Sequence, residues 1–133
     1  MAARPLYVEE LAGILAFDFD VESTPKFRPE RRSEDPVHTV LSTCSSLLAV
    51  VDVDGRRVVQ FAHFSAKEYL TSARLAETKG NISRFQVSMT PAHTIIAQAC
   101  LGILLHLDEN ITEDELKDFP LAEYAAKYWV VHA

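Results

Sequence analysis

Residues 47–64 read LLAVVDVDGRRVVQFAHF, and this stretch decides the fold. Two runs rich in β-branched residues lie on either side of Asp54-Gly55. An Asp-Gly pair tolerates the positive φ angles of a two-residue turn, so the pattern is a strong local signal for a β-hairpin. The sequence therefore predicts two antiparallel strands, over residues 47–53 and 57–64.

Two helices are predicted before the hairpin. Apolar residues at helical spacing predict the first helix from Val8 to Phe17. Residues 23–35 contain two prolines and mixed charges without apolar periodicity, which predicts a connecting loop. Asp35-Pro36 then places an N-cap residue before a first-position proline, so a second helix is expected from Pro36 to Leu47.

Further helices are predicted after the hairpin. Ser65 and Glu68 have the spacing of a capping box, which predicts a helix reaching about Ala76. A helix starting at Thr90-Pro91 is expected to reach about Leu107, and its apolar faces predict that it is largely buried. Two shorter helices are expected, one after a capping box at residues 112–115 and one from residue 120.

The order of these elements predicts an α+β, mostly helical fold. Helix, connector, helix and hairpin follow one another as in a winged helix, which we expect over residues 1–72, with a helical extension over residues 73–133. The helix at 36–47 would take the recognition position of DNA-binding members. It contains no Lys or Arg, and the chain carries a net charge of −6. Phosphate and guanine contacts both need such cations, so nucleic-acid binding is the disfavoured alternative.

Composition places the chain among ordinary globular proteins. Its 133 residues are 48% hydrophobic, enough to bury a core without disulfides or a metal. Cys44 and Cys100 are far apart and each lies in an apolar stretch, so buried thiols are expected rather than a disulfide. No signal-peptide pattern and no apolar run of about 18 residues is present, so the expected location is the cytoplasm, with no membrane contact.

Several polar residues could carry chemistry but have simpler explanations. Lys67 follows Ser65 by two positions and faces another side of the helix, so the two are not expected to act as a nucleophile and its base. No phosphate-binding P-loop is present, so the chain alone is not expected to be an NTPase. The histidines His93 and His106 are too far apart on one helix to share a metal. Asp52 and Asp54 flank the tight turn and are explained by turn chemistry. We therefore expect no catalytic residue, no metal site and no enzyme activity.

Tyr124, Tyr128 and Trp129 form an aromatic stripe on the last predicted helix. Aromatic residues at this spacing most often pack into a core. They are also the residue types found where a partner docks, so the stripe is a candidate interaction face. The sequence leaves both interpretations open.

Four segments carry a resemblance to a known family. Residues 4–11 (RPLYVEEL), 50–55 (VVDVDG) and 59–70 (VQFAHFSAKEYL) resemble the winged helix of fungal NACHT-type signalling proteins. This winged helix also occurs in inositol-deacylase-like sequences. Residues 119–129 (FPLAEYAAKYW) resemble the helical connector that leads into ankyrin repeats in such proteins.

The resemblance implies a part in an NTP-dependent switch. In such switches a P-loop module binds ADP in the off state, the winged helix closes over it, and the repeats sense a ligand. A histidine after the wing contacts the ADP β-phosphate in related switches, and His63 is the matching position, although Ala62 and Phe64 replace the usual Met and Asp around it. ADP or ATP would then be bound only by the neighbouring module. A standalone protein–protein adaptor is the main alternative.

Overall fold

The computed structural model describes residues 4–19, 25–32, 34–44, 46–107 and 109–133. Two short antiparallel hairpins lie among the helices, which makes the fold α+β and mostly helical, as a winged helix with a helical extension requires. The helices and strands, in chain order, are α1 (Val8–Leu15), β1 (Phe17–Asp18), β2 (Lys26–Phe27), α2 (Pro36–Cys44), β3 (Leu48–Val53), β4 (Arg56–Phe61), α3 (Phe64–Leu70), α4 (Ala73–Glu77), α5 (Met89–His106), α6 (Glu113–Leu116) and α7 (Leu121–His132). Single 3-10 turns cover Pro29–Arg31 and Asn81–Phe85.

The predicted wing hairpin is confirmed. Strands β3 and β4 pair antiparallel, with Val53 opposite Arg56. Asp54 has a φ of 51° and Gly55 a φ of 79°, as a tight turn with two left-handed residues demands. Strand β4 ends at Phe61, three residues before the predicted end, because the chain turns there into α3.

Two of the predicted helix caps are also confirmed. Asp35 caps α2, where its Oδ1 atom accepts a hydrogen bond of 3.1 Å from the His38 amide. Thr112 and Glu115 form the reciprocal capping box of α6. Helix α5 begins one residue before Thr90, with Ser88 at the N-cap position, so its predicted start was close.

The predicted connecting loop over residues 23–35 contains, in its described part, a short strand that the sequence did not predict. Phe17, predicted to end the first helix, instead pairs with Phe27 in a second small hairpin, β1–β2. The Arg28 amide extends this pairing with a 2.9 Å hydrogen bond to the Ala16 carbonyl. The Phe27 ring lies 5.3 Å from the Phe17 ring and 5.9 Å from the Phe119 ring, so tertiary contacts order a segment that lacks periodicity of its own.

The capping box predicted at Ser65 is not formed. Helix α3 begins at Phe64 with His63 at its N-cap position, so Ser65 lies inside the first turn. The predicted helix to Ala76 is also divided in two, because α3 ends at Leu70 and Ser72 caps α4. The break lies at Ser72, whose backbone is extended and whose hydroxyl accepts a hydrogen bond from the Leu75 amide as the N-cap of α4.

The core forms where α5 and α7 pack against α1 and β1. It contains the buried residues Ile14, Phe17, Ala99, Cys100, Ile103, Leu121, Tyr124 and Ala125. The expectation that α5 is largely buried was wrong, since only one of its faces enters this core. Ile95 and Leu101 on α5 are exposed, and Leu105 has 83% of its surface open to solvent.

Gly102 allows α5 to approach the β1–β2 hairpin closely. A Cβ atom at this position would lie 2.5 Å from Cε1 of Phe17, whose ring is buried. We expect Gly102→Ala to lower the free energy of unfolding by about 1–2 kcal/mol, because overpacking outweighs the better helix propensity of alanine. Urea denaturation measures this change.

Phe17→Leu provides the control for this clash. Combined with Gly102→Ala, it makes room for the added methyl group, so the double variant should lose less than the sum of the two single losses. Additive losses would show that the close approach does not limit this position.

Candidate functional site

His63, the candidate nucleotide sensor, lies at the junction between the wing and α3. It follows strand β4 after a single residue, Ala62, and has an extended backbone at the N-cap position of α3. Its carbonyl accepts a 3.1 Å hydrogen bond from the Ala66 amide, which closes the first turn of the helix. The imidazole is exposed and caps no backbone amide of α3. Next to it, Phe64 has 71% of its surface exposed.

The aromatic stripe of α7 is divided between core and surface. Tyr124 is fully buried, so the structure places it in the core and not on a docking face. Tyr128 and Trp129 are half-buried and pack against the same core. The apolar surface that remains open on α7 is formed by Val130 and Val131.

An ion pair that sequence reasoning missed holds the beginning of the chain. The Arg4 guanidinium donates two hydrogen bonds to the Glu10 carboxylate, at 2.6 and 2.9 Å. Glu10 is only 3% exposed and also accepts a 2.8 Å hydrogen bond from the Tyr7 amide. The hydrogen bond to Glu10 raises the pKa of Arg4 above its already high value.

Three tyrosine rings surround the Arg4 guanidinium. Its central carbon lies 4.4 Å from the ring centroid of Tyr7, 5.1 Å from that of Tyr124 and 5.7 Å from that of Tyr128. Cations bind the faces of such rings within about 6 Å, so these contacts add to the ion pair. The beginning of the chain is thereby attached to α7.

The same segment is attached to the wing on its other side. The Val59 amide donates a 2.9 Å hydrogen bond to the Leu6 carbonyl, and Tyr7 pairs with Val58 as an isolated β-bridge. Arg57 forms a 2.8 Å ion pair with Glu9. Residues 4–10, which we call the clamp segment, thus contact both the wing and α7.

A groove of about 600 Å³ lies beside the clamp segment. Three of its charged lining residues form ion pairs: Glu9 with Arg57, Glu123 with Lys127, and Lys117 with Asp114. Elsewhere its walls are mostly apolar. The lining residues are Tyr7, Glu9, Glu10, Arg56, Leu104, Leu107, Glu113, Leu116, Lys117, Phe119, Pro120, Ala122, Glu123 and Ala126.

The histidines of α5 have different surroundings. His106 is exposed, and its ring lies against those of Phe27 and Phe119. His93 contacts His132 of α7, with 2.8 Å between their Nδ1 atoms, and this pairing was not anticipated. Among the described residues, no three His, Cys, Asp or Glu side chains are close enough together to hold a metal ion.

Cys100 confirms the expectation of a buried thiol. It is fully buried and free, and burial raises its pKa to about 11, with a smaller contribution from Glu10. A thiol with such a pKa is uncharged near neutrality and therefore a poor nucleophile. The side chain of Cys44 lies outside the described part of the chain, so its prediction stays open.

A comparison with protein families identifies the first two thirds of the chain. The model of the GPI inositol-deacylase winged helix domain matches residues 1–88. The chain belongs to this winged-helix family. The match ends just before α5, so it covers the wing and the clamp segment, whereas α5–α7 lie beyond it.

A relative extends the similarity over the remaining helices. Azaphilone pigments biosynthesis cluster protein L of Monascus ruber is 36% identical over 138 residues, which covers 98% of this chain. The chain spans only 28% of the length of that relative. No solved structure is a significant match. No described helix of this winged-helix protein is long and apolar enough to cross a membrane.

We expect the stability of this winged helix to depend strongly on one carboxylate of the clamp segment, that of Glu10. Glu10→Gln leaves the Arg4 guanidinium without its counter-charge in a mostly buried setting, so the free energy of unfolding should fall by about 2–3 kcal/mol. Glu9→Gln is the matched control, because its pair with Arg57 is exposed and should be worth less than about 1 kcal/mol. Equal losses in urea denaturation of the two variants would contradict this assignment.

Proposed function

We propose that this chain is the regulatory winged helix and helical connector of a NACHT-type, NTP-dependent signalling switch. In this role it relays the nucleotide state of a P-loop module to an ankyrin-type sensor. It performs no catalysis and binds no cofactor by itself, since ADP or ATP occupies the neighbouring module. The proposal places the chain in the cytoplasm and includes neither nucleic acid nor a membrane among its partners.

The clamp segment is the observation that carries this proposal. A relay needs a mechanical connection between the part that meets the nucleotide module and the part that leads to the sensor. Residues 4–10 contact the wing through Leu6 and Tyr7, and contact α7 through Arg4. Coupling between distant sites is carried by packed side chains and hydrogen-bond networks of this kind. A displacement of the wing would therefore also displace α7.

The length of the Monascus relative supports a modular context. The matched segment makes up 28% of that protein, so there it is one part of a larger chain. Winged helices of the family found here are compatible with a non-catalytic, regulatory part. The NACHT module and the ankyrin repeats are proposed because four segments resemble proteins that contain them. These segments are residues 4–11, 50–55, 59–70 and 119–129.

His63 would meet the nucleotide in this arrangement. Its imidazole is exposed at the wing–α3 junction, and an imidazole N–H can donate a hydrogen bond to a phosphate. The exposed Phe64 beside it offers an apolar contact for the neighbouring module. Ala62 and Phe64 replace the flanking residues of the familiar motif, so the histidine would act without a neighbouring acid.

A binding titration tests the proposal. The chain is titrated against the nucleotide-binding module of a full-length relative, loaded with ADP or with a non-hydrolysable ATP analogue. We expect tighter binding to the ADP form. His63→Ala should weaken that binding about tenfold, the loss expected for one hydrogen bond to a charged phosphate.

His38→Ala is the matched control, because His38 is also exposed but lies on α2. It should leave both affinities unchanged. Equal affinity for the two nucleotide states, or none for either, would contradict the switch. The remaining function would then be that of a standalone protein–protein adaptor, a role that the exposed Val130 and Val131 favour.

The DNA-binding alternative has less support. Helix α2 exposes His38, Ser42 and Thr43 and has no Lys or Arg along its length. The helix therefore lacks the cationic side chains that make the commonest guanine and phosphate contacts of a recognition helix. A gel-shift titration at low salt tests this alternative, since electrostatic binding is strongest there.

A further inference from the structure

Two histidines and a tyrosine form a hydrogen-bonded chain between α5 and α7. The Nδ1 atoms of His93 and His132 are 2.8 Å apart, and the Nε2 atom of His132 lies 2.8 Å from the Tyr124 hydroxyl. His132 is 3% exposed and Tyr124 is fully buried, whereas His93 is half-buried. His132 is the last residue of α7, so this chain fastens the end of that helix to the first half of α5.

The distance between the two Nδ1 atoms limits how many protons the hydrogen-bonded chain of His93, His132 and Tyr124 can hold. One hydrogen can lie between them, donated by either ring and accepted by the lone pair of the other. The Tyr124 hydroxyl adapts, because it can donate to Nε2 or accept from it. One added proton still leaves an acceptor between the rings. With two added protons, two N–H groups and two positive charges face each other at 2.8 Å, and the contact cannot persist.

Arg4 and Glu10 carry the side-chain charges described close to this hydrogen-bonded chain. Arg4 of the clamp segment lies over the Tyr124 and Tyr128 rings, and Glu10 of α1 is already bound to Arg4. Within the described part of the chain, neither histidine forms an ion pair with a carboxylate.

Other ionisable groups also act near this hydrogen-bonded chain. The Cys100 thiol of α5, whose pKa is about 11, is uncharged at mildly acidic pH, and the positive charge of the amino terminus adds to the lowering of the His132 pKa. Lys127 of α7 is exposed and paired with Glu123. Protonation of the two rings therefore accumulates positive charge beside that of Arg4.

We propose that the His93–His132–Tyr124 chain is a proton-sensitive latch, which holds the end of α7 on α5 at neutral pH and releases it in mild acid. Release would detach the last turn of α7 and expose the half-buried Trp129 next to Val130 and Val131. The latch needs only residues of this protein and no neighbouring module, so it does not rest on the proposed switch function.

The pH range over which the latch opens follows from the pKa of His132 in the folded chain. Burial, and then the neighbouring His93, lower the pKa of His132 below its ordinary value of 6.5. Between the lowered pKa and pH 6.5, the unfolded chain therefore binds more protons than the folded chain. The stability that the latch contributes is complete above pH 6.5 and is lost as the pH falls through 6.5 toward the lowered pKa.

Trp129 reports release directly, because it is the single tryptophan of the chain. The emission maximum of the full chain is recorded between pH 7.5 and 5.5, since the wavelength responds to exposure rather than to quenching. We expect a red shift with a midpoint below pH 6.5, and a thermal midpoint about 5 °C lower at pH 5.5 than at pH 7.5. His93→Gln should abolish the red shift, because its amide can donate to a neutral ring or accept from a charged one.

His106→Gln is the matched control, since it removes an exposed histidine from the same helix and should keep the red shift. A second measurement needs no substitution: in an NMR titration of the wild-type chain, the His132 ring should titrate below the ordinary value of 6.5. A red shift that survives His93→Gln would overturn the latch. Titration of His132 at or above pH 6.5 would overturn it too, even if the His93 variant failed to fold.

Discussion

The pair between Arg4 and Glu10 is the interaction on which the arrangement of the other parts depends. A carboxylate that is 3% exposed is costly to bury unless a cation and hydrogen bonds satisfy it, and Arg4 provides both. Arg4 is itself held over the rings of Tyr124 and Tyr128, so the pair fixes α1 relative to α7. The backbone between the two charged residues then joins the wing through Tyr7. One buried charge thereby orients three parts of the molecule.

This arrangement places the helical extension within the same core as the winged helix. The family match ends at residue 88, yet Ile14 and Phe17 from the matched part pack with Ile103 and Leu121 from α5 and α7. A winged helix that packs in this way on the helices after it is suited to pass on a displacement. The His93–His132 contact lies at the far end of α7, so the clamp and the latch hold the same helix and share Tyr124.

The features that the sequence predicted are those whose causes lie within a few residues. Asp54 and Gly55 need only their own backbone preferences to form the wing turn, and the capping box of Thr112 and Glu115 needs only four residues. The box expected at Ser65 fails, because α3 begins one residue before it. The β1–β2 hairpin could not be predicted, because Phe27 is ordered by rings distant in the sequence. The contact between His93 and His132 spans 39 residues and depends on how α5 packs on α7. His63 lies between the wing and α3, where the local pattern puts it, whereas the clamp depends on contacts that no local pattern encodes.

The central claim is that the clamp segment couples the wing to α7, and hydrogen exchange tests it most directly. In the Arg4→Gln chain, the Glu10 carboxylate loses its cation while the wing and α7 keep their own residues. The account predicts that the Val59 amide, which donates to Leu6, and the amides of α7 lose protection together and by similar factors. Loss of protection in α7 with an unchanged Val59 amide would contradict the coupling, since the wing would then be held independently of the clamp.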